Sequence, residues 1–480
     1  MYDIEEIINP QSRGISEIVA DLKDKSVKDI IPWGKLICDY EPTMHKICHD
    51  KATLKDKIRS DGTLEPSSRI HIGLEKLLCK RMAEFTYTIP VKRIYGEAEN
   101  DTQAAIIKAI EAVYRSARID SMNIKRANMY YGCCEIFTIW YVLKRPNPLY
   151  GFDSQYKLKC RTYSPMNGVI LYPLIDGLGN MDAMSFEYKS NENNRSVTFF
   201  ETYTAEKHYI WKNNGEAWVE VTQQQTEDGE IVNGEDIAIM KIPGIYLSRP
   251  VPVYHGLSNI REEIEYTLSR GSNVIAYNAS PILKISGGIK GSEDKGESRR
   301  IYRVENGGDV SYVSWQQAIE AQKYHVDMMM KLFWMQAQIP DISFENMKGL
   351  GNIGYDARKT LFADAHLKIG DETGPWIEFL DREFNVIKSF LNVMNPAFAN
   401  EIDAVSCKQV ITPFIQNDDA VEINNRMKAN GGKPIESQLE SIRRYGKSDD
   451  PKGTFEQIKE EANAENEAKA LVFAASNSAI

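Results

Sequence analysis

Residues 315–338 read WQQAIEAQKYHVDMMMKLFWMQAQ, residues 339–355 IPDISFENMKGLGNIGY, residues 356–370 DARKTLFADAHLKIG and residues 376–394 WIEFLDREFNVIKSFLNVM. The order is helix, glycine-rich loop, helix, an expected break at Gly374-Pro375, and helix again. Residues 314–338 as a helix would span about 37 Å at 1.5 Å per residue. Trp315, Ile319, Val326, Met330, Phe333 and Ala337 trace one apolar face, with Gln322 as its polar interruption. In the last helix Ile377, Leu380, Phe384, Ile387, Leu391 and Met394 follow 3-4-3-4-3 spacing, a near-heptad packing seam.

The loop between these helices contains GLGNIG, residues 349–354, which matches G-x-G-x-x-G. A dinucleotide site needs a strand before that motif. A helix and a polar loop precede it here, so glycines for a mobile or sharply turning loop are the better reading. A dinucleotide-binding enzyme using 349–354 stands as the alternative. The loop's other side chains, Asp341, Glu345, Asn346, Lys348 and Asn352, are polar and of low net charge. The cluster Met328-Met329-Met330 with Leu332, Phe333, Trp334 and Met335 reads as core or subunit interface.

Outward from this stretch, Leu257, Ile260, Ile264, Leu268 and Ile275 recur at helical spacing, and Pro281 ends the run. Residues 281–313 read as an insert with strand-like ends, PILKISGG and DVSYV, and a charged middle. Its cations are Lys284, Lys290, Lys295, Arg299, Arg300 and Arg303; its acids are Glu293, Asp294, Glu297, Glu305 and Asp309. Residues 1–130 look mainly helical, with helices expected at 15–22, 70–84, 102–114 and 121–131, and strand-like composition at 85–95. Residues 133–254 read as β-rich, with Asn214-Gly215 as a two-residue hairpin signal. Beyond Asn395-Pro396 come a strand-like KQVIT and helical candidates at 418–430, 437–445 and 454–471. The last has little apolar face, and a disordered tail is expected from 466. The pattern as a whole is α+β.

A formal net charge of −10 argues against a nucleic-acid-coating protein. It is compatible with a protein that lets DNA pass without holding it, since an acidic surface repels phosphate. Seven cysteines without pattern fit reduced thiols. His45-x-x-Cys48-His49 has no partner set at metal-ligand spacing and reads as structural. Cys133-Cys134 is expected in a buried strand. MYDIEEIINP is acidic and lacks an apolar core, so no signal peptide is expected, and no apolar run reaches membrane-spanning length. No Walker lysine motif, Ser/His/Asp or Cys/His arrangement or HExxH occurs. No catalytic residue, cofactor or metal is expected.

Several stretches in order resemble the portal proteins of tailed bacteriophages, of the branch typified by the Bacillus headful-packaging phage. They are GCCE at 132–135 before the β-rich part, RPVPVYHGLSNIREEIEYTLSRGSN at 249–273 and ASPILKISG at 279–287. IPD at 339–341 with the glycine loop, and GKPIESQ at 432–438 followed by KSDDPKGTFEQIKEE, complete the set. The resemblance covers roughly residues 20–465 and is one of order and spacing. GYD at 354–356 departs from the small residues found in relatives, and PIES at 434–437 from a simpler pattern.

The resemblance implies a wing at 1–256, a first stem helix at 257–280, a clip at 281–313 and a second stem helix at 314–338. A tunnel loop at 339–355 follows, then a kinked long helix returning to the wing at 356–412, a crown at 413–465 and a tail at 466–480. It implies a homo-oligomeric ring, usually of twelve subunits, at the portal vertex of the virion capsid and assembled in the host cytoplasm. Double-stranded DNA would be packaged and ejected through it. Partners would be terminase during packaging, head–tail connector or adaptor proteins afterwards, and capsid and scaffold proteins, with no membrane. The terminase, not this chain, would hydrolyse ATP. Glu345, Asn346, Lys348 and Asn352 are the expected DNA contacts, and Lys290, Lys295, Arg299 and Arg300 the expected docking residues. Ile260, Ile264, Leu268, Ile319, Val326, Met330 and Phe333 would pack the stem. Ile377, Leu380, Phe384, Ile387 and Leu391 would pack the long helix. Another virion structural or adaptor protein is the remaining alternative.

Overall fold

The computed structural model of the chain describes residues 4–8, 13–58, 61–222, 224–225, 231–278, 282–287, 289–294, 300–304, 309–313, 316–342, 360, 362–414, 427–428, 431, 434, 436–445 and 450–477. Two units divide it: Met1–Lys348 with Leu361–Phe414, and Gly349–Thr360 with Ile415–Ile480.

In the first unit, helices α1 (Ile4–Ile7), α2 (Ile15–Asp24), α3 (Trp33–Tyr40) and α4 (Lys46–His49) precede α5 (Leu74–Tyr87), α6 (Asp101–Ala117) and α7 (Ile119–Cys133). The strand expected across 85–95 is only half realised. Helix α5 continues to Tyr87, and the strand is confined to β3, the third of the chain's strands, at Lys92–Tyr95. Tertiary packing overrides local propensity here. Phe85 meets Phe362 and Phe414, and Tyr87 meets the edge of Trp376 at 5.2 Å.

Cys133 closes α7 rather than sitting in a strand, and Cys134 takes the left-handed conformation, φ 68°, that turns the chain into β4 (Glu135–Asn147). Gly132 permits this junction. A Cβ there would lie 2.3 Å from Met166 and 3.0 Å from Tyr40. Burial pushes the Cys133 thiol up to about 11 and the Cys134 thiol up to about 12, as expected of inert thiols.

Two antiparallel sheets follow. One has the order β14 (Gly244–Ser248), β4, β5 (Ser154–Tyr163). The other runs β10 (Trp218–Glu220), β9 (Lys207–Asn213), β8 (Arg195–Tyr203), β7 (Met181–Glu192), β6 (Ile170–Ile175), with Glu235–Asp236 added beside β9. The hairpin joining β9 to β10 closes with Trp218 opposite Asn213. Its loop is therefore the four residues 214–217, with Gly215 at φ 106°, rather than the two-residue turn expected.

Helix α8 (Ser258–Asn278) leads to two strand pairs, one nested within the other in sequence. The strand Ile282–Ser286 pairs with Asp309–Val313, and Ile289–Asp294 pairs with Arg300–Val304. Helix α9 (Gln316–Ala337) leaves them.

Helix α10 runs unbroken from Ala363 to Met394 with Pro375 inside it, which corrects the break expected at Gly374-Pro375. Proline there removes one backbone donor, the bond Asp371 would otherwise receive. Burial on both sides offsets that loss: Ile369, Trp376, Phe379 and Leu380 are all in the main core. Trp376 is its centre, ringed by Tyr87, Tyr130, Tyr131 and Phe379, with its indole N–H donating to the Tyr131 hydroxyl at 3.1 Å. After α10, Cys407–Val410 pairs back onto β3.

In the second unit the described elements are Gln438–Tyr445 and Pro451–Asn477. The tail expected to be disordered from 466 is helical through Asn477. Its Ala, Glu and Lys content supplies the propensity that its narrow apolar face does not. Of the helix expected at 418–430, only 427–428 lie among the described residues.

Candidate functional site

The helix pair and the long helix form the part of the chain that the sequence marks as functional. Gly271 of α8 faces Gln322 of α9 so closely that a Cβ would fall 1.7 Å from the amide nitrogen. Gln322 donates that N–H to the Thr267 carbonyl at 2.9 Å. The polar interruption in the α9 face is thus a cross-helix clasp that needs glycine opposite it. Around it Ile264 and Phe333 are buried, and Ile260, Leu268, Val326 and Met330 pack partly buried on the same core. The side chain of Ile319 lies outside the described residues.

A buried charge network fastens α8 to the N-terminal helices. Arg261 reaches Glu75 through Nε at 2.8 Å, Glu265 through Nη1 at 3.1 Å and Asp39 through Nη2 at 2.8 Å. His45 Nδ1 lies 2.6 Å from Glu265 Oε1, which also accepts from the Ile72 amide at 2.9 Å. Burial raises the Glu75 carboxyl above its usual range, against the pull of Arg261. Burial acts the same way on Glu265, but His45, the Ile72 amide and Arg261 together hold it below its usual range. His45 is therefore an ion-network partner. Among the described residues no group of His, Cys, Asp and Glu is arranged to hold a metal.

Helix α10 completes the seam. Leu380, Phe384, Ile387 and Leu391 are buried and Ile377 is partly buried on the main core. Within the seam Glu383 accepts both arms of Arg126 from α7, at 2.8 and 3.0 Å, and the Trp140 indole at 3.1 Å. All of these partners are fully buried. At the other end of α10, Lys368 Nζ donates to the Ala337 carbonyl at 2.6 Å, the last carbonyl of α9 before Gln338 turns left-handed at φ 56°. Burial, assisted by the charge of Arg249, brings the Lys368 amine down to about 8. Arg249 itself pairs with Glu372 at 3.0 Å.

Sequence reasoning missed Arg126, Glu383, Arg261, Glu75 and Lys368. Glu383 carried a signal, a carboxylate beside Phe384 inside an apolar seam. Arg261 and Glu265 carried another, their i,i+4 spacing.

Of the docking residues expected in the insert, Lys290 and Arg300 fall on the inner hairpin, where Asp294 lies opposite Arg300. Lys295 and Arg299 lie outside the described residues, as do Glu345, Asn346, Lys348, Asn352 and the glycines at 349–354. The last described element before that glycine run is helix α9, and residues 343–348 between them lie outside the described residues.

The chain belongs to the phage portal proteins. Residues 34–468 match the family described as phage portal protein, SPP1 Gp6-like. No curated protein matches the chain. Among solved structures it is similar to a chain of the virion of a native gene transfer agent particle, with 10% identity and a TM-score of 0.32 over 78% of this chain and 88% of that one. It is likewise similar to a chain of the neck of an empty gene transfer agent particle computed with C6 symmetry, with 11% identity and a TM-score of 0.34 over 78% and 88%. The family assignment rests on the sequence match. No helix among the described residues is long and apolar enough to cross a membrane.

Proposed function

We propose that this chain assembles into a ring, usually of twelve copies, at the portal vertex of a phage capsid and conducts double-stranded DNA along its axis. In this reading α8 and α9 are the stem and the two nested strand pairs the clip. The clip docks terminase during packaging and connector proteins afterwards, with Lys290, Lys295, Arg299 and Arg300 as its docking cations. The loop after α9 touches the passing duplex through Glu345, Asn346, Lys348 and Asn352. Its polar side chains of low net charge suit transient contact with a sliding polyanion, where a strongly basic loop would hold it. The crown and capsid-facing surface lie beyond α10, and the chain itself hydrolyses nothing.

The family match over residues 34–468 carries this reading. A second feature supports the ring. Val274, Ile275, Tyr324, Met328 and Met335 on the helix pair are exposed, Ile275, Tyr324 and Met335 by 59%, 67% and 66%. Large apolar side chains gathered on one helix pair are surface for a neighbour to cover. Negative-stain microscopy with native mass spectrometry of the purified protein tests it. The expected result is a ring with an axial hole; a monomer at every concentration overturns it.

A further inference from the structure

The outer half of the β4–β5 hairpin is a basic segment of this acidic chain. Between residues 141 and 163 stand Lys144, Arg145, Lys157, Lys159 and Arg161 against one acid, Asp153. The first half of β4 is covered: Phe137 and Ile139 share a core with Leu171 and Phe186 of the neighbouring sheet. From Tyr141 outward the cover ends, and six consecutive residues of β4 are exposed.

Register places the side chains. Leu143 lies opposite Lys157, Tyr141 opposite Lys159 and Ile139 opposite Arg161, so these six share one face. On the reverse face Trp140 and Leu158 are fully buried, while Val142 and Tyr156 further out are exposed. The three cations of β5 therefore stand in a row, about 6.7 Å apart as alternate residues of a strand. β5 is the edge of its sheet. Arg161 is held at the foot of the row by the Tyr163 ring, 4.9 Å away. Lys144, Arg145, Lys157 and Lys159 form no ion pair among the described residues. Tyr141 and Leu143, exposed by 36% and 39%, lie opposite Lys159 and Lys157 on this face.

We propose that this face is a second contact for duplex DNA, separate from the axial channel, which grips the phosphate backbone without reading sequence. A regular row of unpaired cations complements a uniform line of charge. An acidic protein patch, with its few irregular carboxylates, has no need of such regularity. The identity of the polyanion rests on the portal reading.

The test uses covalently closed circular duplex DNA, which cannot thread a ring that has already formed. Full-length rings, checked by microscopy, are titrated with labelled circles across a salt series. The comparison is with the triple variant R145Q/K157Q/K159Q and the charge-keeping variant K157R/K159R. Wild type and the charge-keeping variant are expected to bind circles. The triple variant should lose about tenfold or more in affinity at low salt, and its slope of log affinity against log salt should fall by about three. Equal binding by wild type and triple variant overturns the proposal, as does a wild type that holds no circle at low salt. So does loss of poly-glutamate binding with circle binding unchanged, which would assign the face to an acidic protein. If no ring forms, the portal reading fails by itself, and the same titration on the unassembled chain still decides the face.

Discussion

Helix α10 and the α8–α9 pair are built from similar apolar spacing, yet they end in opposite states. α10 packs its seam within the chain and leaves only Leu367 and Val393, near its ends, as exposed large apolar side chains. Its seam is buried from Trp376 to Leu391, and even its one carboxylate, Glu383, is enclosed by Arg126 and Trp140. The pair buries Ile264 and Phe333 and leaves Ile275, Tyr324 and Met335 exposed to solvent. The contrast separates folding from assembly. α10 holds the subunit together, and on the proposed reading the exposed side chains of the pair are surface for a neighbouring copy to cover.

The largest effect expected follows from the enclosure of Glu383. Glu383→Ala leaves the Arg126 guanidinium buried without its counter-charge, a change that costs about 3–5 kcal/mol. Arg126 is fully buried, and its other close neighbour is the Phe379 ring at 4.5 Å. Denaturant unfolding should show this loss. The control is Arg382→Ala, whose partner Glu378 is exposed; that pair is worth at most about 1 kcal/mol. Equal effects from the two substitutions would show that α10 is not the anchor described here.

That anchor was only half legible in sequence. The positions of Ile377, Leu380, Phe384, Ile387 and Leu391 follow from spacing alone, because a helical period is a local property. The continuity through Pro375 does not, because it depends on what buries Ile369 and Trp376 from distant parts of the chain. The ion partners are hidden for the same reason: Arg126 and Glu383 are 257 residues apart, Arg261 and Glu75 186. His45 reads as structural in sequence, but its partner is not legible there, because Glu265 lies 220 residues away across the helix packing. The basic face of β4–β5 was visible as composition, but only the strand register shows that Lys157, Lys159 and Arg161 share a side.

A smaller effect is expected where α10 meets the end of α9. The folded Lys368 amine titrates near 8, below the ordinary lysine value near 10.4. Between those values the unfolded chain holds a proton that the folded chain has released. Stability from this group therefore rises with pH across that window, and below pH 8 the full cost of burying the charge is present. The raised tyrosines and thiols of the core act in the opposite sense at high pH, so the comparison must be a difference. Stability of wild type minus that of Lys368→Met should climb from about pH 8 to about pH 10.5 in denaturant titrations. A flat difference would mean that the amine is not desolvated at this junction.

The smallest effect on folding, and the one that tests the contrast most directly, belongs to the outer face of α9. Met335 is 66% exposed and Tyr324 67% exposed. Removing such side chains changes the stability of a lone subunit by no more than about 0.5 kcal/mol. If neighbours cover that face in the ring, Tyr324→Ala/Met335→Ala should leave the unfolding midpoint of unassembled subunits in place. It should also raise the protein concentration at which rings appear, read by native mass spectrometry across a dilution series. An unchanged assembly concentration would put the subunit contact elsewhere. A shifted unfolding midpoint without an assembly defect would mean that the face is finished within one chain after all, and the distinction between a self-contained α10 and an incomplete helix pair would fall.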